Sequence, residues 1–448
     1  MTMMASAGPA AGLRTVRGAG LLWTEMWYLV AMLACLYVAV DPLELQQAAE
    51  DPILKHLALA ITLPAVAMTI LVSRVHALWR KTEHVELTPA AALWPLFLLA
   101  ALIIAGGAYT RFVMGIQQTF VNFGLYMIAA YCAAAMVWRS WDPAALVRAY
   151  VRMLLAAAFV MSAYLIANYG GRQVYHEQIF IVIPMAALFF ALRGPALLRW
   201  TGCLYFLAMA WLSAKYTSYL IGALTVAYLT FVIAVPRLTP EPGLHRTALV
   251  YWFWLLGGLT TIVLIFLGVN GMLELPTGNV DYRSHTYALA WERFLESPLW
   301  GNHFAVESVE KFSGYEIAVG NLLATHSDVL DLLANGGVLV VLLWLYALAR
   351  IARIAASRLL AREWFDQPWA PQAHALAVMS LAGIVTYTFN PILLQPALAY
   401  LVWTNLGMLL GLALRNTAVP SAPEARATER RDRRDPARYR GEPGGHRA

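Results

Sequence analysis

The sequence predicts an all-α polytopic membrane protein with about twelve transmembrane helices and one long helical loop between spans nine and ten. Three observations predict it. Of 448 residues, 60% are hydrophobic and 13% charged, well below the roughly 25% charge of soluble domains. The apolar residues fall in runs that approach the span requirement of about 20 residues. One long polar stretch, Leu273 to Gly337, interrupts these runs late in the chain.

In chain order the first six candidate spans are Leu21 to Val40, His56 to Val72, Ala90 to Ala108, Thr119 to Trp138, Val151 to Asn168 and Gln178 to Leu192. The next six are Ala196 to Ser213, Tyr216 to Pro236, Ala248 to Val269, Gly336 to Leu348, His374 to Phe389 and Gln395 to Leu414. Gln178 to Leu192 is short and contains Pro184, and Gly336 to Leu348 needs its flank up to Ile354 to span. Between Trp200 and Pro236 the only charge in 37 residues is Lys215. That is too long for one span and enough for two joined by a minimal turn, so Lys215 marks the turn.

The expected organisation is a cytoplasmic segment over 1–20, spans one to nine over 21–271, a catalytic loop over 272–335, spans ten to twelve over 336–414 and a tail over 415–448. The first apolar run follows Arg14 and Arg17 without a small-residue cleavage site, so it reads as an uncleaved first span. The tail holds nine Arg among Ala, Pro, Gly, Asp and Glu. Such a composition buries no core and reads as disorder at the inner membrane surface, not as a nucleic-acid site. Cys35, Cys132 and Cys203 all lie in apolar runs, with neither disulfide nor zinc spacing, and read as packing residues.

Charge sets the orientation, because basic residues concentrate on the cytoplasmic side of spans. With both termini cytoplasmic, 25 of the 32 Lys and Arg fall inside and seven outside, and every cytoplasmic loop keeps the bias. The long loop then faces outward, which in a bacterium is the periplasm. Four outward cations, Arg111, Arg172, Lys215 and Arg283, sit where this bias places none. Each is either a side chain snorkelling to headgroups or a functional group at the membrane edge.

The loop carries nine acidic residues against Arg283, Arg293 and Lys311. An anionic partner is therefore captured by local cations and not by the bulk field. Asp281 to Ser297 reads as a helix capped by Asp281 and ended by Pro298, with Arg283, Tyr287, Trp291 and Phe294 along one stripe. Its plain role is an amphipathic helix on the membrane surface anchored by Arg283. His326 to Leu333 reads as a second helix, with His326, Val329, Leu330 and Leu333 on one face. Asp328 and Asp331 point elsewhere, in solvent-facing or supporting positions, and Gly336-Gly337 opens the next span. A His on an apolar face is ordinarily a core residue, but His326 lies where an outward surface helix enters the bilayer. His176, His285 and His303 are rivals on the same side. The chain has no Asp-x-Asp, and the Asp328/Asp331 pair supplies too few oxygens for a hard cation, so no metal site is expected.

The residues resemble the O-antigen ligase/polymerase family. The resemblance rests on Arg283, Glu296-Ser297-Pro298-Leu299-Trp300-Gly301, and Thr325-His326-Ser327-Asp328-Val329-Leu330-Asp331-Leu332-Leu333-Ala334-Asn335-Gly336-Gly337. The family pattern is an Arg about fifteen residues before Pro-Leu-x-Gly, then His-Asn/Ser-x-x-Leu-x-x-Leu-x-x-x-Gly. The resemblance implies transfer of a glycan from undecaprenyl pyrophosphate to a glycan or lipid A core acceptor, at the periplasmic face of the inner membrane, with no cofactor and no required metal. It implies His326 as the loop histidine and Arg283 as the loop arginine. A further family arginine follows a Ser at the head of a middle span. Here Ser213-Ala214-Lys215 stands in its place, and a Lys is a point charge without the bidentate fork of an Arg. The chain also reads Gly301-Asn302-His303-Phe304 where the family often has a second Gly.

The residue types suit that chemistry. Breaking the bond from the anomeric carbon to pyrophosphate develops negative charge on the leaving group, so preorganised cations are the main need. Arg283 and Lys215, with Arg172 and Arg111, are the candidates. The acceptor hydroxyl loses a proton as it attacks, and a neutral His suits that role. A role for His326 in orienting substrate alone stays open. The competing class is a polysaccharide or lipid-linked sugar transporter or flippase. Against it stand the very short connection at Arg193 to Pro195 and the position of the long loop after the ninth span.

Overall fold

The computed structural model describes residues 23–40, 88–110, 125–140, 142–168, 178–213, 215–234, 279–305, 314–318, 321–359, 367–390, 392 and 396–415. The expected spans His56 to Val72 and Ala248 to Val269, the segment before Trp23 and the basic tail lie outside them. The described residues are helical apart from one short hairpin and the connections. In order they form α1 (Trp23–Val40), α2 (Pro89–Thr110), α3 (Leu125–Arg139), α4 (Pro143–Ala167), α5 (Ile179–Val182), α6 (Met185–Ala191), α7 (Ala196–Leu212) and α8 (Tyr216–Tyr228). A π-helical turn, Leu229–Ala234, extends α8. Then come α9 (Asn279–Glu296), β1 (Gly314–Ala318), β2 (Asn321–Ala324), α10 (Asp328–Leu359), α11 (Ala370–Phe389) and α12 (Pro396–Arg415).

Six of these helices are long and apolar enough to cross a membrane: α2, α4, α8 with its extension, α10, α11 and α12. The shorter α1, α3 and α7 are apolar as well, as are α5 and α6 taken together. The last pair meets at Pro184, where the missing amide hydrogen and fixed φ interrupt the helix. α4 begins at Pro143 and not at Val151, because Asp142 accepts a hydrogen bond from the Ala145 amide at 2.9 Å and Pro143 occupies the first turn. Between α7 and α8 lies the turn at Lys215, as the charge pattern required.

The centre of the bundle is α12, whose apolar stretch is buried throughout. Gly407 and Gly411, one turn apart, face α3 so closely that an added Cβ would overlap the carbonyl oxygens of Ala130 and Ala134. Small residues permit that approach where apolar lipid supplies no hydrophobic drive for helix association. Several polar side chains in the interior are satisfied locally or across helices. Ser162, Thr225, Ser380 and Thr386 each donate to the carbonyl one turn back at 2.7 Å. Tyr150 of α4 donates to Asn405 Oδ1 of α12 at 2.8 Å, and Tyr228 of α8 meets His374 Nδ1 of α11 at 3.0 Å.

Candidate functional site

The site is built on three elements that meet at one end of this bundle. The first is α9, which starts at Asn279, so Asp281 lies inside its first turn. Tyr287 and Ala290 are buried and form a small apolar cluster with Leu330 of α10. The expected stripe is therefore split: Tyr287 packs on protein while Trp291 stays exposed. Thr286 is buried and donates to the Arg283 carbonyl at 3.1 Å, which braces the turn carrying the guanidinium.

Beyond α9 the chain turns back across the head of α10. The Val338 amide donates to the Pro298 carbonyl at 2.9 Å, and the Phe304 amide to the Asn335 carbonyl at 3.0 Å. Gly337 has φ 70° and breaks α10, so the apolar span starts directly after it, as Gly336-Gly337 required. Its open face admits the backbone of Leu299 and Trp300, and an added Cβ would overlap both. In the tight turn at Gly301-Asn302-His303-Phe304 the left-handed conformation at Gly301, φ 62°, is also taken by His303 and Phe304, both φ 58°, at a cost of about 1–2 kcal/mol each that glycine would avoid. His303 packs on Tyr109 of α2 with ring centroids 5.5 Å apart.

The second element is the connection from β2 to α10, which holds His326. His326 is not on a helical face as the periodicity indicated. It precedes the helix, in the left-handed region with φ 55°, a conformation that costs a non-glycine residue about 1–2 kcal/mol. Ser327 is the N-cap: its hydroxyl accepts from the Leu330 amide at 3.4 Å and its carbonyl from the Asp331 amide at 3.1 Å. Asp328 and Asp331 are fully buried, which overturns the solvent-facing reading. Thr325 Oγ1 donates to the Asp331 carboxylate, with both oxygens at 2.8 Å, and accepts from the Ser327 amide at 3.2 Å. Asn335 donates to the Asp331 carbonyl at 2.7 Å. Arg293 of α9 lies within electrostatic reach of Asp331. His326 thus projects from a turn whose neighbours on both sides are held by buried hydrogen bonds.

The third element is the turn between α7 and α8. Lys215 has an extended backbone, with φ −117° and ψ 144°, and its carbonyl accepts from the Tyr219 amide at 3.1 Å. What joins this turn to the His326 turn is the segment after α11. Asn390 Nδ2 donates to Thr217 Oγ1 at 3.4 Å on the Lys215 side. The Ile392 amide donates to Asp328 Oδ2 at 2.8 Å on the His326 side.

The structure brings Lys215, Arg283 and His326 within electrostatic range of one another. Burial, then the charges of Arg283 and Lys215, lowers the His326 imidazole from its ordinary 6.5 to about 4. Burial, then Arg283, lowers the Lys215 ammonium from 10.5 to about 8. At neutral pH the arrangement is two cations beside a neutral imidazole, partly shielded from water. Such a set attracts an anion and offers one nitrogen lone pair next to it. Arg111, Arg172 and His176 lie outside the described residues; His285 is exposed on α9.

Of the residues around this arrangement, the sequence presents Asp328 and Asp331 as solvent-facing or supporting and Thr325 as part of the His326 motif, but does not point to Thr217 or Asn390. For the His326 turn a signal existed: Ser327 followed by Asp328 is an N-cap with an acid in the first turn, which places the helix start after His326. For Asn390 and Thr217 there was none, since their partnership spans separate helices. No family model matches the chain, and no curated protein matches it.

Proposed function

We propose that the protein transfers a glycan from undecaprenyl pyrophosphate to an acceptor hydroxyl at the periplasmic face of a bacterial inner membrane, as an O-antigen ligase or a polysaccharide polymerase. The observation that carries this reading is the convergence of Lys215, Arg283 and His326 from three separate parts of the chain. In this reading the chain crosses the membrane twelve times with both ends cytoplasmic, and α9 to the head of α10 forms the periplasmic catalytic loop.

Arg283 and Lys215 bind the pyrophosphate and stabilise the charge that grows on it as the bond to the anomeric carbon breaks. Arg172 and Arg111 are further candidates for that role. The acceptor oxygen bonds to the anomeric carbon, the pyrophosphate leaves with the bonding electrons, and the hydroxyl proton passes to His326. With no anion bound, burial and then the charges of Arg283 and Lys215 keep His326 weakly basic. A bound pyrophosphate offsets their charge and raises its basicity, so the base becomes competent when the donor is in place.

The test uses purified protein in detergent, where transport has no meaning, with undecaprenyl-pyrophosphate-linked glycan as donor and lipid A core or a second donor molecule as acceptor. Wild type is expected to release undecaprenyl pyrophosphate. His326→Ala is expected to lower the rate about 100- to 10,000-fold, the usual contribution of a general base, at unchanged protein abundance. Donor left intact by the wild type with either acceptor refutes the reading.

A further inference from the structure

The loop helix α9 has three sectors at the helical advance of about 100° per residue. One sector, with Thr286, Tyr287 and Ala290, is buried against α10. The sector opposite carries His285, Glu292 and Glu296, all exposed. Between them runs a flank that carries Trp291 and Leu295, which are 40% and 55% exposed. The apolar exposure continues into the following turn, where Leu299 and Trp300 are 56% and 51% exposed. A polar loop gains nothing by showing water two tryptophans and two leucines in succession.

We infer that Trp291, Leu295, Leu299 and Trp300 form a membrane-docking surface that lies in the outer leaflet of the bilayer and sets the height of the loop over it. The occupant follows from where the turn is seated. The backbone of Leu299 and Trp300 rests on Gly337, and the Pro298 carbonyl accepts from the Val338 amide at 2.9 Å, so this patch sits at the residue where the apolar span begins. Leu342, the first strongly exposed apolar residue of that span, is five positions on, about 7.5 Å along the helix axis. The patch is thus continuous in height with the lipid-facing surface of the span. Trp300 at that level matches the aromatic belt of membrane proteins, whose rings sit among the headgroups, and Trp291 carries the exposed apolar run back along α9. The acidic sector is centred about 100° around α9 from this flank, so its carboxylates stay in water while the flank meets the headgroups.

The inference is independent of the reaction proposed above, because its test needs no substrate. Full-length protein carrying a single added cysteine, at Leu295, Leu299 or Glu292, is spin-labelled and reconstituted in phosphatidylethanolamine/phosphatidylglycerol vesicles. The native Cys35, Cys132 and Cys203 are buried, and labelling of the wild type measures their background. Labels at 295 and 299 are expected to collide with oxygen, which partitions into acyl chains, about tenfold more than with a water-soluble nickel chelate, relative to the label at 292. Equal nickel accessibility at 295 and 292 overturns the inference. So does shielding of 295 and 299 from both reagents, which assigns the face to protein. Hydroxyl-radical footprinting of the unmodified protein in the same vesicles provides a check without substitution. Trp291 and Trp300 are expected to be oxidised severalfold less than in detergent-free polymer belts lacking lipid, while His285 is unchanged; an identical pattern in both refutes docking.

Discussion

His326 and Lys215 each occupy a short non-helical connection just before an apolar helix, and the two connections are built differently. Around His326 the residues Thr325, Ser327, Asp328, Asp331 and Asn335 are all fully buried and joined by hydrogen bonds. Around Lys215 the neighbours Trp211 and Tyr216 are largely exposed, and the helix that follows has no side-chain cap. The difference matches the chemistry proposed for each group. A ring nitrogen must point its lone pair along one line to take a proton, so its backbone has to be held, here in a left-handed conformation it would not otherwise keep. An ammonium acts as a near-spherical charge on a flexible stem, so its place along the turn matters more than its direction.

Breaking the buried network tests the first half of this contrast and has the largest expected effect. Thr325→Val removes the hydroxyl that bridges Asp331 and the Ser327 amide and leaves a buried carboxylate short of a donor, at a cost of about 1–3 kcal/mol. Turnover of the lipid-linked donor is expected to fall about ten- to hundredfold, while Thr325→Ser retains most of it. Equal activity of the two variants would remove orientation of His326 as the purpose of the network. Arg283 sits between the two cases, with a braced backbone and a long side chain. Arg283→Lys is expected to weaken donor binding by about 1–2 kcal/mol if the guanidinium uses its fork, read as a rise in KM. Unchanged KM would class Arg283 with Lys215 as a point charge.

The smallest effect concerns Lys215 and pH. Its ammonium is lowered to about 8 by burial and by Arg283, so its charge is present at pH 7 and is lost as pH rises through 8. Affinity for inorganic pyrophosphate, measured by calorimetry, is expected to fall by up to about tenfold between pH 7 and pH 9, following the protonated fraction. Lys215→Arg is expected to keep its affinity across that range, because an Arg does not titrate there. His326, at about 4, is already neutral at both pH values and adds nothing to the change.

Much of the scaffold was legible in the residues. The helix ends at Val40 and Phe389, the end expected at Trp138 one residue short of Arg139, the turn at Lys215 and the opening of an apolar run at Gly336-Gly337 follow from runs of apolar residues and from Gly and charge. These signals are local, and local backbone sterics and solvation read them directly. Periodicity misled at His326 because it extends a helical pattern through a residue whose backbone leaves the helix, and the N-cap at Ser327 outweighs it. It misled at Asp328 and Asp331 for another reason. Charged residues are rarely buried, and the hydrogen bonds from Thr325 and from the Ile392 amide, with the charge of Arg293 near Asp331, help make their burial tolerable.

By itself, then, the sequence determined an apolar helical chain with one polar stretch and named Arg111, Arg172, Lys215, Arg283 and His326 as its unusual residues. It determined this because hydrophobicity and turn chemistry act over a few residues. That Lys215, Arg283 and His326 come within electrostatic range of one another was decided only by the tertiary structure. The contacts responsible, Asn390 to Thr217 and Ile392 to Asp328, join residues more than sixty positions apart, and no local rule carries information over that distance.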